Sequence, residues 1–295
     1  FPSLTHISSQ IRYIYLFMDL IEEVKCKHGN FHILSNDQYI SNSLKLYGEW
    51  SELEVDLYNS LLKKNDNVIE VGSHIGSHSI PLANIISDGK LYCFEPQNLI
   101  YNILKKNIKN NAIKNTYAYN YAISDYSNKI KLKNIDFSRY QTFNSGGVNF
   151  EDLEQSLNNF QLTNEVSEIE VITLDKFFEK RSNKINFIKI DAEGNEYKIF
   201  KGGKNILCQD LPMLYWEYAL KDKLGLLEKL KFLEDFNYIN FKHVTNLYNN
   251  NNFRNNTINI FKRTGSFMIL SIFKNNLSHE VDKILEENSL QLITL

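Results

Sequence analysis

Asn67-Val68-Ile69-Glu70-Val71-Gly72-Ser73-His74-Ile75-Gly76-Ser77-His78-Ser79 reads as a short buried strand that ends on glycine and turns directly into a helix. Val68, Ile69 and Val71 are the β-branched residues of a strand covered on both faces, the usual condition of a parallel sheet in α/β proteins. Gly72 and Gly76 leave the turn bare where a ligand can press against backbone, and the helix expected over 77–86 brings free N–H groups beside it. A dinucleotide fingerprint, G-x-G-x-x-G, needs glycine where this chain has His74, so a pyrophosphate fits badly and an NAD-dependent oxidoreductase is disfavoured. A plain strand–turn–helix crossover with no ligand is the bland alternative.

Glu70, two residues before the first glycine, suits a cationic group better than a phosphate, such as the amino group or sulfonium of S-adenosylmethionine. A second apolar run, Lys90-Leu91-Tyr92-Cys93-Phe94, closes on Glu95-Pro96 about 20 residues beyond the turn, where nucleoside-binding α/β folds keep the carboxylate that grips the ribose hydroxyls. A third strand, expected over 116–122, ends in Ala122-Ile123-Ser124-Asp125, at the edge where an adenine would lie. A fourth, Ile185 to Ile190, runs straight into Asp191-Ala192-Glu193-Gly194-Asn195-Glu196. Acids at a helix N-terminus are favoured by the helix dipole for structural reasons alone. Asp191 nevertheless leaves its strand at the carboxyl edge where open α/β sheets bind ligands.

The chain has 295 residues, 43% hydrophobic and 23% charged, the composition of a globular protein large enough for one substantial core. Its net charge of −2 supplies no basic field for nucleic acid or anionic lipid. Three scattered cysteines, Cys26, Cys93 and Cys208, suit reduced thiols and a cytoplasmic setting. The most apolar segment, Ile11 to Ile21, is too short to span a bilayer and carries Arg12 and Asp19, so a docking helix over 11–24 is expected instead.

Residues 1–45 read as an N-terminal elaboration and 46–295 as the main domain. Tyr47-Gly48-Glu49-Trp50 leads into a helix from Ser51, with Ser51 and Glu54 at capping-box spacing; Tyr47, Glu49 and Trp50 are candidates to face substrate, against the plainer reading of core packing. The Asn/Ser/Gly-rich stretch from Lys133 to Gln161 is long for a passive connection and is a candidate substrate-facing insertion. A fifth strand, Pro212 to Tyr218, carries Trp216 and Glu217. A helix over 223–236, then strands over 238–242, 257–261 and 267–273, would finish the sheet, with a surface helix and tail after Glu280. His74 and His78 lie four apart, but with no further His or Cys nearby they make a poor zinc site.

Taken together, these residues resemble the FkbM family of S-adenosylmethionine-dependent methyltransferases. The likeness runs from Tyr47-Gly48-Glu49 through Val68–Gly76, Phe94-Glu95-Pro96, Ala122-Ile123-Ser124 and Thr173-Leu174-Asp175 to Ile188-Lys189-Ile190-Asp191-Ala192-Glu193-Gly194-Asn195-Glu196. The last motif is the specific one. The family usually has Asp at position 70 and Ala-Asn at 73–74, so Glu70 keeps the charge while Ser73-His74 is a departure. The resemblance implies a Rossmann-like class I methyltransferase fold, a seven-stranded mixed sheet between helix layers, and O-methylation of a hydroxyl on a sugar, glycan or secondary metabolite.

On that reading Glu70, Gly72, Ser73, His74, Gly76, Glu95, Pro96, Ala122, Ile123 and Asp191 hold the cofactor. Asp191 and Glu193 orient the acceptor and take its proton, with Glu217 or His74 in reserve. Tyr47, Glu49, Trp50 and Glu217 face the acceptor, and Trp50 and Trp216 offer faces to a sugar ring. A divalent metal among Asp191, Glu193 and Glu217 is an alternative, not the expectation. A catalytically silent nucleoside-binding module is the other rival.

Overall fold

The computed structural model describes residues 20–149 and 160–294. It begins with an antiparallel hairpin, β1 (Ile21–Cys26) and β2 (Gly29–Leu34). The helix expected over 11–24 lies partly outside the described residues, and where it is described it is β1. The hairpin forms because β2 buries Phe31, Ile33 and Leu34 in one apolar cluster with Leu44, Ile100 and Ile103. Two asparagines of a later helix fasten it: Asn107 Oδ1 accepts the His32 N–H at 2.6 Å while its Nδ2 donates to the His32 carbonyl at 3.0 Å. One turn on, Asn111 does the same for Asn30, at 2.9 and 2.7 Å.

Helices α1 (Ile40–Tyr47) and α2 (Glu52–Leu61) follow. The expected capping box does not form. Ser51 has φ 43° and its hydroxyl donates to Glu54 Oε1 at 2.6 Å instead of accepting a backbone N–H. Glu54 is buried, and its carboxylate gathers donors, the Tyr58 hydroxyl at 3.1 Å included.

The core then alternates as the apolar runs required: β3 (Asn67–Val71), α3 (Ser79–Ile85), β4 (Lys90–Phe94), α4 (Asn98–Asn110) and β5 (Thr116–Tyr119). The strand expected over 116–122 is divided, because after Asn120 the chain leaves the main sheet as β6 (Tyr121–Ile123). There it pairs parallel to β8 (Leu162–Ile172), which also takes β7 (Asn128–Ile135) in antiparallel register. Beyond come α5 (Leu174–Phe177), β9 (Phe187–Ile190), α6 (Glu196–Gly202), α7 (Lys204–Asp210), β10 (Met213–Glu217), α8 (Lys223–Asp235), β11 (Tyr238–Asn246), β12 (Gly265–Phe273), α9 (His279–Glu287) and β13 (Gln291–Leu292).

The main sheet has the order β13-β11-β12-β10-β9-β3-β4-β5. Strands β10, β9, β3, β4 and β5 are parallel, and β12 inserts between β10 and β11, running against both. This is the mixed Rossmann-like class I sheet. It has eight strands where seven were expected, because the tail pairs two residues, Gln291 and Leu292, with the edge of β11. The strand expected over 257–261 is absent. That segment belongs to the β11–β12 connection, and the Tyr47 hydroxyl serves its backbone in place of a ladder, donating to the Ile258 carbonyl at 2.8 Å and accepting the Ile260 N–H at 2.9 Å. Among the described residues no helix is long and apolar enough to cross a membrane.

Candidate active site

The carboxyl ends of β3, β4, β9 and β10 open into one cavity, roofed by the segments after β2 and β7 and by the β11–β12 connection. Parallel strands aim their last residues at a common edge, so the acids that close these runs converge there. Glu70, Gly72, Ser73, His74, Glu95, Pro96, Ala122, Ile123, Asp191, Glu193, Glu217 and Trp50 all line it.

Four residues expected at the site do not. Gly76 has φ 90°, and a Cβ there would meet Leu104 at 2.8 Å, so its task is helix packing. Tyr47 is buried beneath the β11–β12 connection. Glu49 is likewise buried; its carboxylate accepts Asn249 Nδ2 and the Phe253 N–H, both at 2.8 Å, which shapes that connection. Trp216 offers no face to a ligand either. It is fully buried in the sheet core, with Nε1 donating to Ser271 Oγ at 2.8 Å.

The turn after β3 is shaped by a neighbour as well as by space for a ligand. Gly72 has φ 81°, and a Cβ would lie 1.8 Å from the Asp191 carbonyl oxygen. A side chain at 72 would therefore push apart the two turns that build the site. His74, at φ 48°, donates its backbone N–H to Glu95 Oε2 at 3.0 Å, and Glu95 Oε1 accepts the Gln97 N–H at 2.8 Å. Burial pushes the Glu95 carboxyl up to about 7, against the pull of these two bonds. Its remaining lone pairs are available to hydroxyl donors.

Beneath the turn lies a charged row that the sequence reading did not single out. Glu70 and Lys189 are register partners on β3 and β9, so they share one face of the sheet. The period of two carries that face on to Asp191, whose Oδ2 lies 3.0 Å from Lys189 Nζ. Burial would lower the Lys189 ammonium, but Asp191, Glu70 and Glu54 together hold it above its ordinary value. Glu70 also accepts from the Ser79 hydroxyl, and burial raises its pKa against the Lys189 charge. A lysine inside the apolar run Ile185–Ile190 was the available signal, since a buried ammonium requires an anionic partner.

At the far end Asp191, Glu193 and Glu217 bring carboxylate oxygens within 4.8 Å of one another. Burial, then Asp191 and Glu196, push Glu193 up to about 8. Burial, Asp191 and Glu193 raise Glu217 well above the carboxylate range. Glu193 sits at φ 51°, and its carbonyl accepts Asn149 Nδ2 at 2.8 Å. His78 lines the same cavity with Nε2 buried and unpartnered among the described residues; burial and then the Lys189 charge lower its pKa to about 3. The arrangement joins a slot lined by the glycine turn, Pro96, Ala122 and Ile123 to a crowded acidic wall.

No curated protein matches the chain. Among solved structures it is similar to the methyltransferase FkbM from Methylobacillus flagellatus KT, at TM-score 0.44 and 14% identity over 72% of this chain and 47% of that one, so it spans about half of that protein's length. It is similar to a precorrin-6y C5,15-methyltransferase from Geobacter metallireducens GS-15, at TM-score 0.42 and 10% identity over 75% of this chain and 87% of that one. A third is M. jannaschii TYW2 in complex with AdoMet, at TM-score 0.41 and 12% identity over 86% and 85% of the two chains. The family model of the methyltransferase FkbM domain matches residues 70–254, more than half of the sequence and the stretch that carries Glu70, Glu95, Asp191 and Glu217. The chain belongs to the FkbM methyltransferase domain family, whose members depend on S-adenosylmethionine.

Proposed function

We propose that the protein methylates a hydroxyl oxygen of a sugar, glycan or hydroxylated secondary metabolite. The observation that carries this reading is the crowding of Asp191, Glu193 and Glu217 at one end of the cavity whose other end holds Glu95 and the glycine turn. The cavity suits the methyl donor. Pro96, Ala122 and Ile123 supply an apolar slot for a flat base, Glu95 keeps lone pairs for two ribose hydroxyls, and Asp191 with Glu70 favours positive charge. When bound, the donor supplies an electrophilic methyl group on a cationic sulfur.

The chain's own residues do the rest. Glu95 grips the ribose and sets the depth of the donor. Asp191, braced by Lys189, accepts a hydrogen bond from the acceptor hydroxyl and aims its oxygen, which is the positioning that an in-line transfer needs. Glu193 takes the hydroxyl proton, since a carboxyl raised to about 8 is basic enough to serve near neutral pH. Trp50 gives a sugar ring an apolar face, and Asn144 and Ser266 offer partners for further hydroxyls. The net charge of −2 supplies no basic field for phosphate, which disfavours nucleic acid as acceptor.

A screen for transfer of labelled methyl across sugars, sugar nucleotides, glycans, small phenols, peptides and RNA tests this. Label is expected on hydroxyl oxygens of the carbohydrate or phenolic set. Label confined to RNA or to a peptide nitrogen would overturn the acceptor class. A second reading, favoured by the carboxylate spacing, has a divalent cation among the three acids. Loss of activity in chelator, restored by Mg²⁺, would select it.

A further inference from the structure

We propose that Asp37 and Ser145 act as a relay that fixes the His74 ring as its Nε2–H tautomer, leaving Nδ1 bare to accept an N–H or O–H of the bound methyl donor. The inference rests on the cavity being the donor's site and adds to it a recognition element supplied by His74.

The relay follows from counting hydrogens. Asp37 is buried in the segment between β2 and α1, and Oδ1 accepts both the Ser145 N–H at 3.0 Å and the Ser145 hydroxyl at 2.5 Å. Its Oδ2 accepts the Ser41 N–H at 2.8 Å, so the carboxylate is held on both oxygens. A serine hydroxyl has one hydrogen, and here it points at Asp37. His74 Nε2 lies 2.8 Å from the same Ser145 oxygen, which can therefore only accept from it. Nε2 carries the proton, and in a neutral imidazole Nδ1 then carries a lone pair. The ring is neutral because burial lowers its pKa, with Asp37 and Asp191 opposing.

The parts are too well tied for this to be a loose contact. Asp37 and Phe143 form a bridge, with Gln38 N–H to the Phe143 carbonyl at 2.8 Å and Phe143 N–H to the Asn36 carbonyl at 3.0 Å. The Ser145 carbonyl accepts Gln97 Nε2 at 3.0 Å. Glu95 holds the His74 backbone N–H, so ring and backbone are both positioned. Yet His74 Nδ1 is buried and has no partner among the described residues, although His74 lines the cavity. Buried acceptors are rarely left unpaired, and a ring present only to fill space would need no relay behind it. The donors that a nucleoside-sulfonium ligand offers are the ammonium of its amino-acid arm, the ribose hydroxyls and the exocyclic amino group of its adenine.

Two measurements test the proposal on the intact chain. Nitrogen NMR of ¹⁵N-histidine-labelled protein should show His74 with a protonated Nε2 and an unprotonated Nδ1, and Ser145→Ala should abolish that tautomer preference; an Nδ1–H ring, or no change in Ser145→Ala, overturns the relay. In calorimetry with S-adenosylhomocysteine, His74→Phe should weaken binding about tenfold, while His74→Asn, whose amide oxygen is again an acceptor, should restore most of it. The same loss with 5′-methylthioadenosine, which lacks the amino-acid arm, assigns the contact to the nucleoside; a loss seen only with S-adenosylhomocysteine assigns it to the ammonium. Unchanged affinity in His74→Phe overturns the contact. A wild-type protein that binds neither ligand would remove the donor site itself, a different failure from wild-type binding that ignores the variants.

Discussion

The two ends of the cavity are built by opposite means. At the donor end Glu95 holds two backbone N–H groups, Gly72 lies against the Asp191 carbonyl, and His74 is tied by ring and backbone to two separate segments. At the acceptor end Asp191 has Lys189, but Glu193 and Glu217 face each other with no hydrogen-bonded partner among the described residues. On the proposed reading the first end is pre-organised for the donor, whereas the acidic end stores unfavourable charge that a substrate or a proton relieves. A rigid, satisfied site suits binding; a site of raised carboxyls suits proton transfer.

The largest expected effect would show whether the two ends are separable. Asp191→Asn should lower turnover by about 10²–10⁴-fold, far more than it weakens donor binding measured by calorimetry. A comparable loss in both would move Asp191 to the donor end. Glu95→Ala should do the reverse, weakening donor binding by about 2–4 kcal/mol with the fold intact by circular dichroism; unchanged binding would make Glu95 only a brace for His74 and Gln97.

Acidity gives the next test. If Glu193 is the base, turnover should rise with pH through about 8, the value to which its carboxyl is pushed, and Glu193→Gln should lose that limb. The same raised groups act on stability. Glu95 at about 7 and Glu193 at about 8 bind protons in the folded state that the unfolded chain has already released above about 5, so stability falls as pH rises across that window. The buried histidines His74 and His78, whose pKa is lowered, act with the opposite sign below about 6.5, so the clean window lies above it: between pH 6.5 and pH 8 the wild type should lose on the order of 1–3 kcal/mol more stability in denaturant titrations than Glu193→Gln. A flat profile would mean that water or a counter-ion already relieves these acids. The smallest effect is expected from chelator, which should leave activity unchanged if the acidic wall works by proton transfer.

Much of the donor end was legible because it is local. A β-branched run, a glycine turn and an acid about 20 residues on are features of one strand–turn–helix unit and its neighbour. Asp191 could be placed at the same edge from its position after a fourth apolar run. Lys189 was visible but passed over, since its partner row is set by register between β3 and β9, and register is not written in either strand alone. Tyr47, Glu49 and Trp216 were misplaced for a related reason: polar and aromatic residues near a motif look available for substrate until distant segments cover them.

What the sequence by itself determined is the order of strands and helices in the core and the acids that close them, since hydrophobic period and turn chemistry act over a few residues. Only the tertiary structure decided the partners. The β1–β2 hairpin is fastened by Asn107 and Asn111, more than 70 residues away in the chain. The β11–β12 connection is shaped by Tyr47 and Glu49, some 200 residues before it. His74 meets Ser145 across 71 residues of the chain, and Ser145 meets Asp37 across 108. A single hydrogen bond between segments so far apart leaves no periodicity in either of them, and forms only once the sheet has brought their loops to one edge.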